Sequence, residues 1–454
     1  MKSISKIIAI FTLIYRSKSN VHFLSDGWWA CSSGVWNITD YFALETSTRL
    51  KSLQDSCLVA KVPGTILNAL ISGESFGFTD PYYAENLINI PDLASIGNSF
   101  YSYWFINIFD NPPTMAGKED VLLLLGGVNY MFEALINGHP LPTPVPGMFS
   151  RHTYLITNSI INHGSNILAI RVHPPPYCGK VNGGQGGDHE IARNGAIMQC
   201  TAGWDWIQGT PDRNTGIWRD VSVIEVDSMY LHSPLVVTVS LSGVDGQSAS
   251  LARLNVTVVA RNLKSTVIEG SLVVTLFRTY STDDDSDVLH FRRPVHIREG
   301  HQSALTLPDI EIPDAALWWP HTYGEPHLYQ VEIYMDITPG PNGRAAGRSN
   351  TLRFPIGLRT VEMKFDEKLQ GPKVFVNGVP VFLIGGNWIA TDQLLRYSGA
   401  DWLSRARAYD EVRLHRHMGL NAIRVWGGGI AESDVFYEAC DELGVLVMQE
   451  VGDL

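Results

Sequence analysis

The stretch Asn421 to Gly429 reads NAIRVWGGG, and it limits the possible folds more than any other segment. Ala422, Ile423 and Val425 form a short apolar run that carries Arg424 and Trp426, and three glycines follow at once. Such a run reads as a buried parallel strand that delivers a cation and a flat aromatic to its C-terminal end. The glycines let the chain turn sharply with no side chain in the way of a ligand. In parallel α/β proteins, ligands bind at that end of the strands. An amphipathic helix is expected over Trp402 to Met418 and another over Glu432 to Leu443. A second apolar run, Val445 to Met448, ends in Gln449 and Glu450. This order is that of a βαβ unit.

The alternation begins only near Pro355. From Phe23 to Val226 the pattern is short β runs with Gly/Pro punctuation: Tyr103 to Phe109, Val121 to Leu125, Phe132 to Ile136 before Asn137-Gly138, and Ile167 to Val172. Asn-Gly after an alternating run signals a hairpin, and many short strands at this spacing suggest a jelly-roll β-sandwich. A long loop, Pro174 to Asn214, interrupts it. A loop of that length inside a domain is usually functional. Residues 227–354 form a second all-β region in which Leu254 to Ala260, Gly270 to Phe277, Ser303 to Leu307 and Tyr329 to Met335 alternate; its size suits an immunoglobulin-like β-sandwich. Thr279 to Asp287 reads as an exposed hairpin tip, and Leu317-Trp318-Trp319-Pro320 as core or edge packing.

From residue 355, Val374 to Val381 is a hairpin around Asn377-Gly378. Its return strand continues through Phe382-Leu383-Ile384 to Gly385-Gly386-Asn387-Trp388. Helices and strands then alternate as at the start of a (β/α)8 TIM barrel. Such a barrel takes roughly 250 residues, and only about a hundred remain. Three parallel strands cannot close, and the third would present a bare edge. The expectation is a piece of a longer protein with an incomplete barrel. The expected domains are therefore a leader or signal-like segment (1–22), a jelly-roll domain (23–226), an immunoglobulin-like sandwich (227–354) and the start of a TIM barrel (355–454).

Composition narrows the partners. A net charge of −12 argues against nucleic acid. Five cysteines without a CxxC pair argue against zinc and show no disulfide framework, which leaves free buried thiols as the expectation. Lys2 and Lys6 precede Ile7 to Tyr15, a run too short to span a membrane but long enough for a signal h-region. Arg16 and Lys18 follow at once with no clear cleavage site, so secretory or vacuolar entry and a cytoplasmic location both stay open. No other stretch looks transmembrane, so no membrane partner is expected. Oligomeric state is not legible. The sequons Asn37-Ile38-Thr39 and Asn255-Val256-Thr257 are glycosylated only on the secretory route.

Four clusters could carry chemistry. Arg424 and Trp426 stand before the glycines, with a structural ion pair and core packing as the plain alternative. Asn387 and Trp388 end the first barrel strand; Asn can bond a hydroxyl and Trp can floor a ring. In Gly203-Trp204-Asp205-Trp206, two indoles flank a carboxylate that can accept hydroxyl hydrogen bonds, a sugar-binding arrangement; a loop tacked down by its own aromatics is the alternative. Asp188-His189-Glu190, inside Gly183 to Glu190, lacks the helix spacing of a metal site and reads as a loop network. Glu450 could face the site but is a lone carboxylate. The triple glycine also admits phosphate binding, although neither the P-loop nor the GxGxxG pattern is present.

Val62-Pro63-Gly64-Thr65, Gly183 to Glu190, Gly203 to Trp206 with Asp212 to Trp218, Gly385 to Ile389 and Asn421 to Gly429 come in order over most of the chain. Together they resemble glycoside hydrolase family 2, most of all the plant-type mannosylglycoprotein endo-β-mannosidases, with exo-β-mannosidases and exo-β-glucosaminidases as relatives. The resemblance implies a glycosidase of β-mannosidic linkages in glycoprotein N-glycans, with an oligosaccharide or glycoprotein glycan as partner. It implies Trp204, Asp205, Arg424 and Trp426 as substrate-binding residues around the terminal sugar, joined by Asn387 and Trp388. It also implies retaining chemistry by two glutamates beyond the third barrel strand, so no catalytic residue is expected here, and no metal or organic cofactor is needed. A non-catalytic carbohydrate-binding protein is the alternative of another class. The sequence departs from the family at Val451-Gly452-Asp453-Leu454, where bulky aromatics are expected, and in its first twenty or so residues.

Overall fold

The computed structural model describes residues 21–110, 120–160, 164–177, 197–203, 207–278, 288–340, 346–368, 370–397 and 402–450. Thr279 to Asp287 and Asp188-His189-Glu190 lie outside them. The described chain is β-rich and built of several sheets.

The leading unit stacks two antiparallel sheets. One runs in the order Val21–Phe23, Val221–Val226, Asp120–Leu125, His152–Leu155. The other runs Leu58–Ala60, Trp28–Ser32, Tyr103–Asp110, Ser165–His173, Met131–Ile136, His139–Pro140. Leu123 and Val223 of the first meet Phe105, Leu168 and Ile170 of the second in one core. Because side chains alternate across a strand, Trp104, Ile106, Ile167 and Ala169 face the other way. There they pack with Tyr41 and Leu53 of the helices Ile38–Ala43 and Thr46–Ser56, so the central strands Tyr103–Asp110 and Ser165–His173 are buried on both faces. The Asn137-Gly138 turn has both φ angles positive, 51° and 84°, and pairs Ile136 with His139.

One expectation is corrected in this layer. Cys31 and Cys57 form a disulfide, with Cα atoms 4.5 Å apart. The antiparallel register pairs Trp28 with Ala60 and Ala30 with Leu58, so the next pair out sets Cys31 against Cys57. Spacing alone does not reveal this; the register does. Cys200 and Cys440 are buried free thiols.

In the second unit a sheet of Met229–Asp245, Ser248–Asn262 and Gln302–Ala316 packs on one built from Val288–Ile297, Ile268–Phe277, Tyr329–Ile337, Gly347–Arg348 and Leu352–Ile356. Leu254, Val256, Val258 and Ala260 point inward at every second position. Trp318 is fully buried, and its Nε1 donates to the Asp441 carbonyl at 2.7 Å. The Leu317-Trp318-Trp319-Pro320 segment therefore also fastens this unit to the helix Asp434–Leu443.

The last region opens with the sheet Val361–Asp366, Gly371–Val376, Val379–Val381, whose Asn377-Gly378 turn again takes positive φ at both residues. The return strand does not run on unbroken. It ends at Val381, and Gly385–Trp388 belongs to a new sheet. Buried Asn421 holds the crossing: its Oδ1 accepts from Ile384 N at 2.8 Å, and its Nδ2 donates to the Phe382 carbonyl at 3.0 Å. Gly385–Trp388, Ala422–Val425 and Leu446–Gln449 then form three parallel strands, joined through the helices Trp402–His417 and Asp434–Leu443. The second helix starts after the N-cap position Ser433, which leaves Glu432 in the loop before it. Ile423 and Val425 pack against Val412, Phe436 and Ala439 of the helices, while Met448 on the other face is 38% exposed. One face of the sheet is thus covered and the other open.

Candidate functional site

The parallel register sets Asn387 beside Arg424 and Arg424 beside Met448, all on the open face. Arg424 donates from Nη1 to Asn387 Oδ1 at 2.6 Å, from Nε to Glu450 Oε1 at 3.0 Å, and from Nη2 to the same oxygen. The second Glu450 oxygen accepts from Gly427 N at 3.0 Å. Burial works to raise the Glu450 carboxyl, but the Gly427 amide and the Arg424 guanidinium outweigh it and hold the group below its ordinary range. The result is a fixed, partly exposed guanidinium fork at the C-terminal ends of the strands. It borders a cavity of about 370 Å³ whose apolar wall includes Met363, Val374, Leu383 and Met448. Charge-assisted donors and acceptors beside apolar wall suit a neutral polyhydroxylated ligand.

The triple glycine works differently from the expectation. None of the three takes a left-handed backbone. A Cβ on Gly428 would lie 2.8 Å from Trp426 Cζ3 and nearer still to Cη2 and Cζ2. The glycine therefore makes room for the indole, which folds back over it. The Gly427 amide serves Glu450 and the Gly429 amide serves the Trp426 carbonyl at 3.1 Å, so these two amides are already engaged and do not cradle phosphate.

Trp388 faces away from Arg424. Its ring packs on Phe436 at 4.9 Å, and its Nε1 donates to Glu432 Oε1 at 3.0 Å, on the covered side of the sheet. Glu432 is buried and also accepts from the Tyr397 hydroxyl at 3.2 Å. Burial pushes its carboxyl upward, against the pull of both donors.

Trp204 and Asp205 lie outside the described residues, but both flanks of that stretch are described. Before it, Gln199 N donates to the Gly428 carbonyl at 3.0 Å, and Met198 and Cys200 share a core with Leu395 and Ile430, against which Trp426 packs. After it, Ile207 joins the same cluster. Asn214 Nδ2 donates to the Gln393 carbonyl at 2.8 Å, and Arg219 donates to the Ala431 and Glu432 carbonyls at 2.6 and 3.1 Å. Asn68 Nδ2 donates to the Leu394 carbonyl at 2.9 Å. The leading unit is thus fastened to the turn that carries Trp426.

Asp212 to Gly216 explains how the loop returns. The Asp212 carboxylate accepts from Leu67 N at 3.1 Å and Asn214 N at 2.9 Å; its complete burial nonetheless raises its pKa to about 6. Arg213 is fully buried and forks onto Asp92 at 2.8 and 2.9 Å. Both Arg213 and Asn214 take positive φ, and Asn129 Nδ2 ties their carbonyls at 2.8 and 2.9 Å. The structure thus brings Asn387, Arg424 and Glu450 into one cluster, seats Trp426 against the docked loop, and sets Trp388 behind the sheet. Glu432, Asn421, Gln393 and Arg219 were not singled out from sequence. A polar residue next to an apolar run was the only signal they offered.

The chain is similar to several known proteins. The family model "Glycosyl hydrolase 2 galactose-binding domain-like" matches residues 43–219, and the model "Glycosyl hydrolases family 2" matches residues 237–340. The mannosylglycoprotein endo-beta-mannosidase of Lilium longiflorum is 35% identical over 432 residues, which is 94% of this chain and 42% of that protein. The beta-mannosidase of Capra hircus is 25% identical over 87% of this chain and 43% of its own length. Among solved structures, an Amycolatopsis orientalis exo-chitosanase superposes with a TM-score of 0.70 at 22% identity, covering 95% of this chain and 43% of that one. The beta-D-mannosidase from Dictyoglomus thermophilum superposes with a TM-score of 0.69 at 24% identity, over 94% and 47%. The chain spans less than half the length of these relatives. Two family domains matched in order, together with 35% identity to a mannosidase over 94% of this chain, lead to one conclusion: the chain belongs to glycoside hydrolase family 2.

Proposed function

We propose that the chain carries the glycan-binding part of a retaining glycosidase that hydrolyses β-mannosidic linkages in the N-glycans of glycoproteins. The observation that carries this reading is the Arg424 fork, held between Asn387 and Glu450 at the strand ends, beside an apolar-walled cavity that runs along the open face of the sheet from Gly385, Ala422 and Leu446. In this reading residues 23–226 are a jelly-roll sugar-binding domain, 227–354 an immunoglobulin-like sandwich and 355–454 the start of a TIM barrel. The open face of the parallel sheet is the barrel's inner surface. Asn387 and Arg424 hydrogen-bond the hydroxyls of one pyranose, Trp426 borders it, and Trp204 and Asp205, in the stretch whose flanks dock on Gly428 and Ile430, complete the set of substrate-binding residues. Trp388 supports the strand end from behind. The acid/base and nucleophile glutamates of the retaining reaction follow the third strand; their carboxyls stand about 5–5.5 Å apart in such enzymes.

The relatives leave exo-β-mannosidase and exo-β-glucosaminidase action as alternatives, which calorimetric titration of the chain with mannose- and glucosamine-terminated β-glycosides separates. A carbohydrate-binding protein without catalysis is supported by Glu450, which is committed to Arg424 and Gly427. Calorimetric titration with β-1,4-mannosyl-N-acetylglucosamine tests the site. A hydrogen bond to a charged group contributes about 1.5–3 kcal/mol, so Arg424→Ala should weaken binding roughly 10- to 150-fold. No binding by the parent chain, or equal binding by the variant, overturns the assignment.

A further inference from the structure

We infer that Asn37, on the loop that the Cys31–Cys57 disulfide closes, accepts an N-glycan in an oxidising compartment. Asn37 falls inside the segment closed by the Cys31–Cys57 disulfide, so the acceptor and the cross-link lie on one loop. Disulfides form and persist where the surroundings are oxidising. Asparagine glycosylation by transfer onto Asn-X-Thr occurs along the same route. Each observation supports the other: a reducing compartment would leave both without use.

The local geometry suits a glycan. Asn37 is the exposed N-cap of the helix Ile38–Ala43, and its Oδ1 accepts from Thr39 N at 3.0 Å. Thr39 is exposed beside it. Val35, two residues away, is 89% exposed, an apolar surface that a sugar would shade. A shallow cavity of about 270 Å³ adjoins Asn37, lined also by Ser33, Gly34, Trp36, Trp104 and Arg171, with room and polar partners for the first sugar. The second sequon differs. Asn255 is half-buried in the middle of a strand paired on both sides, and its Oδ1 accepts from Asp309 N at 3.0 Å. A sugar there would have to stand between ladder neighbours.

The two steps balance. The Asn37 amide nitrogen bonds the anomeric carbon of an oligosaccharide carried on a polyprenyl diphosphate. The glycosyl–phosphate bond breaks, the diphosphate leaves and the amide loses one proton. The two cysteine thiols pass two protons and two electrons to the disulfide of an oxidoreductase, which becomes a dithiol.

The test expresses the full chain behind a cleavable secretory signal in a eukaryotic cell and reads its mobility before and after peptide-N-glycosidase F. Thr39→Ala removes the sequon but keeps the Asn37 cap, because the donor is the backbone of residue 39; Thr39→Ser preserves both. We expect a glycosidase-sensitive shift in the parent and in Thr39→Ser, its loss in Thr39→Ala, and its retention in Asn255→Gln. Peptide mapping after alkylation without reductant should find Cys31 and Cys57 protected. No glycosidase-sensitive shift in the parent, a shift that survives Thr39→Ala, or alkylated Cys31 and Cys57 in the glycosylated chain overturns the inference. The result is independent of glycan hydrolysis, so its failure and that of the proposed function are distinguishable.

Discussion

Replacing Gly428 with alanine puts a methyl group where the Trp426 indole lies. The built Cβ sits 2.8 Å from Cζ3 and closer to two other ring carbons, whereas carbons in contact stand about 3.5–4.0 Å apart. The indole must therefore retreat by about an ångström or more, against the cluster of Met148, Met198, Cys200, Leu395 and Ile430 that flanks it. Overpacking of this kind costs about 1–3 kcal/mol. One term opposes it: where the backbone already suits alanine, loss of glycine stabilises by about 0.4–1 kcal/mol through the unfolded chain. Gly428 does not take a left-handed φ, so that gain applies. The two terms separate in a Trp426→Ala background, where the clash is gone and the entropic gain remains. The substitution should then change sign, destabilising in the parent and neutral to stabilising once the indole has been removed. The assay is a denaturation cycle over the four proteins, followed by tryptophan fluorescence and circular dichroism. If Gly428→Ala costs the same in both backgrounds, the glycine is not there to house the indole.

Other expected outcomes follow from the buried and paired carboxyls. Asp212 titrates near 6 in the folded chain and near 4 when unfolded. Its folded form holds the proton longer, so stability falls as pH rises from about 4 through about 6; Asp212→Asn should flatten that slope in a pH series of thermal midpoints. Glu450 shifts the other way: its folded pKa is depressed, so its contribution is full at neutral pH and is lost as pH falls below the ordinary glutamate range. Glu450→Gln should remove that acid limb and loosen Arg424, measured as weaker glycan binding at pH 7. Glu432→Ala leaves the Trp388 Nε1 and Tyr397 hydroxyl donors without their shared acceptor. At about 1–3 kcal/mol for each orphaned group it should be the most destabilising of these variants by chemical denaturation, with Glu432→Gln milder. An unchanged midpoint in Glu432→Ala would remove the case for this carboxyl as the support behind Trp388.

The sheets and helices were legible because their periods are local. Val121 to Leu125 and Trp402 to Met418 announce themselves by composition, and Asn137-Gly138 and Asn377-Gly378 mark turns that the backbone takes. The disulfide was not legible, because Cys31 meets Cys57 only through a register set by the pairing of Trp28 with Ala60. Asn421 and Glu432 were missed for a related reason: each matters through partners elsewhere in the chain, Phe382 and Ile384 for one, Trp388 and Tyr397 for the other. One lesson was available in advance. Neighbours on a strand face opposite ways, so Asn387 and Trp388 could not both line the same side, and the structure divides them accordingly.

The ties between the leading unit and the last region also set a timetable for synthesis. Arg219 waits for carbonyls 212 and 213 positions later, Asn214 for one 179 later and Asn68 for one 326 later. At roughly 5–20 residues per second on the ribosome, the leading sheets emerge about ten to forty seconds before the partners of Arg219. Through that interval Met198, Cys200 and Trp218 lack the Leu395 and Ile430 that later cover them. The nascent chain therefore carries a sticky, half-built seam until translation has passed residue 432.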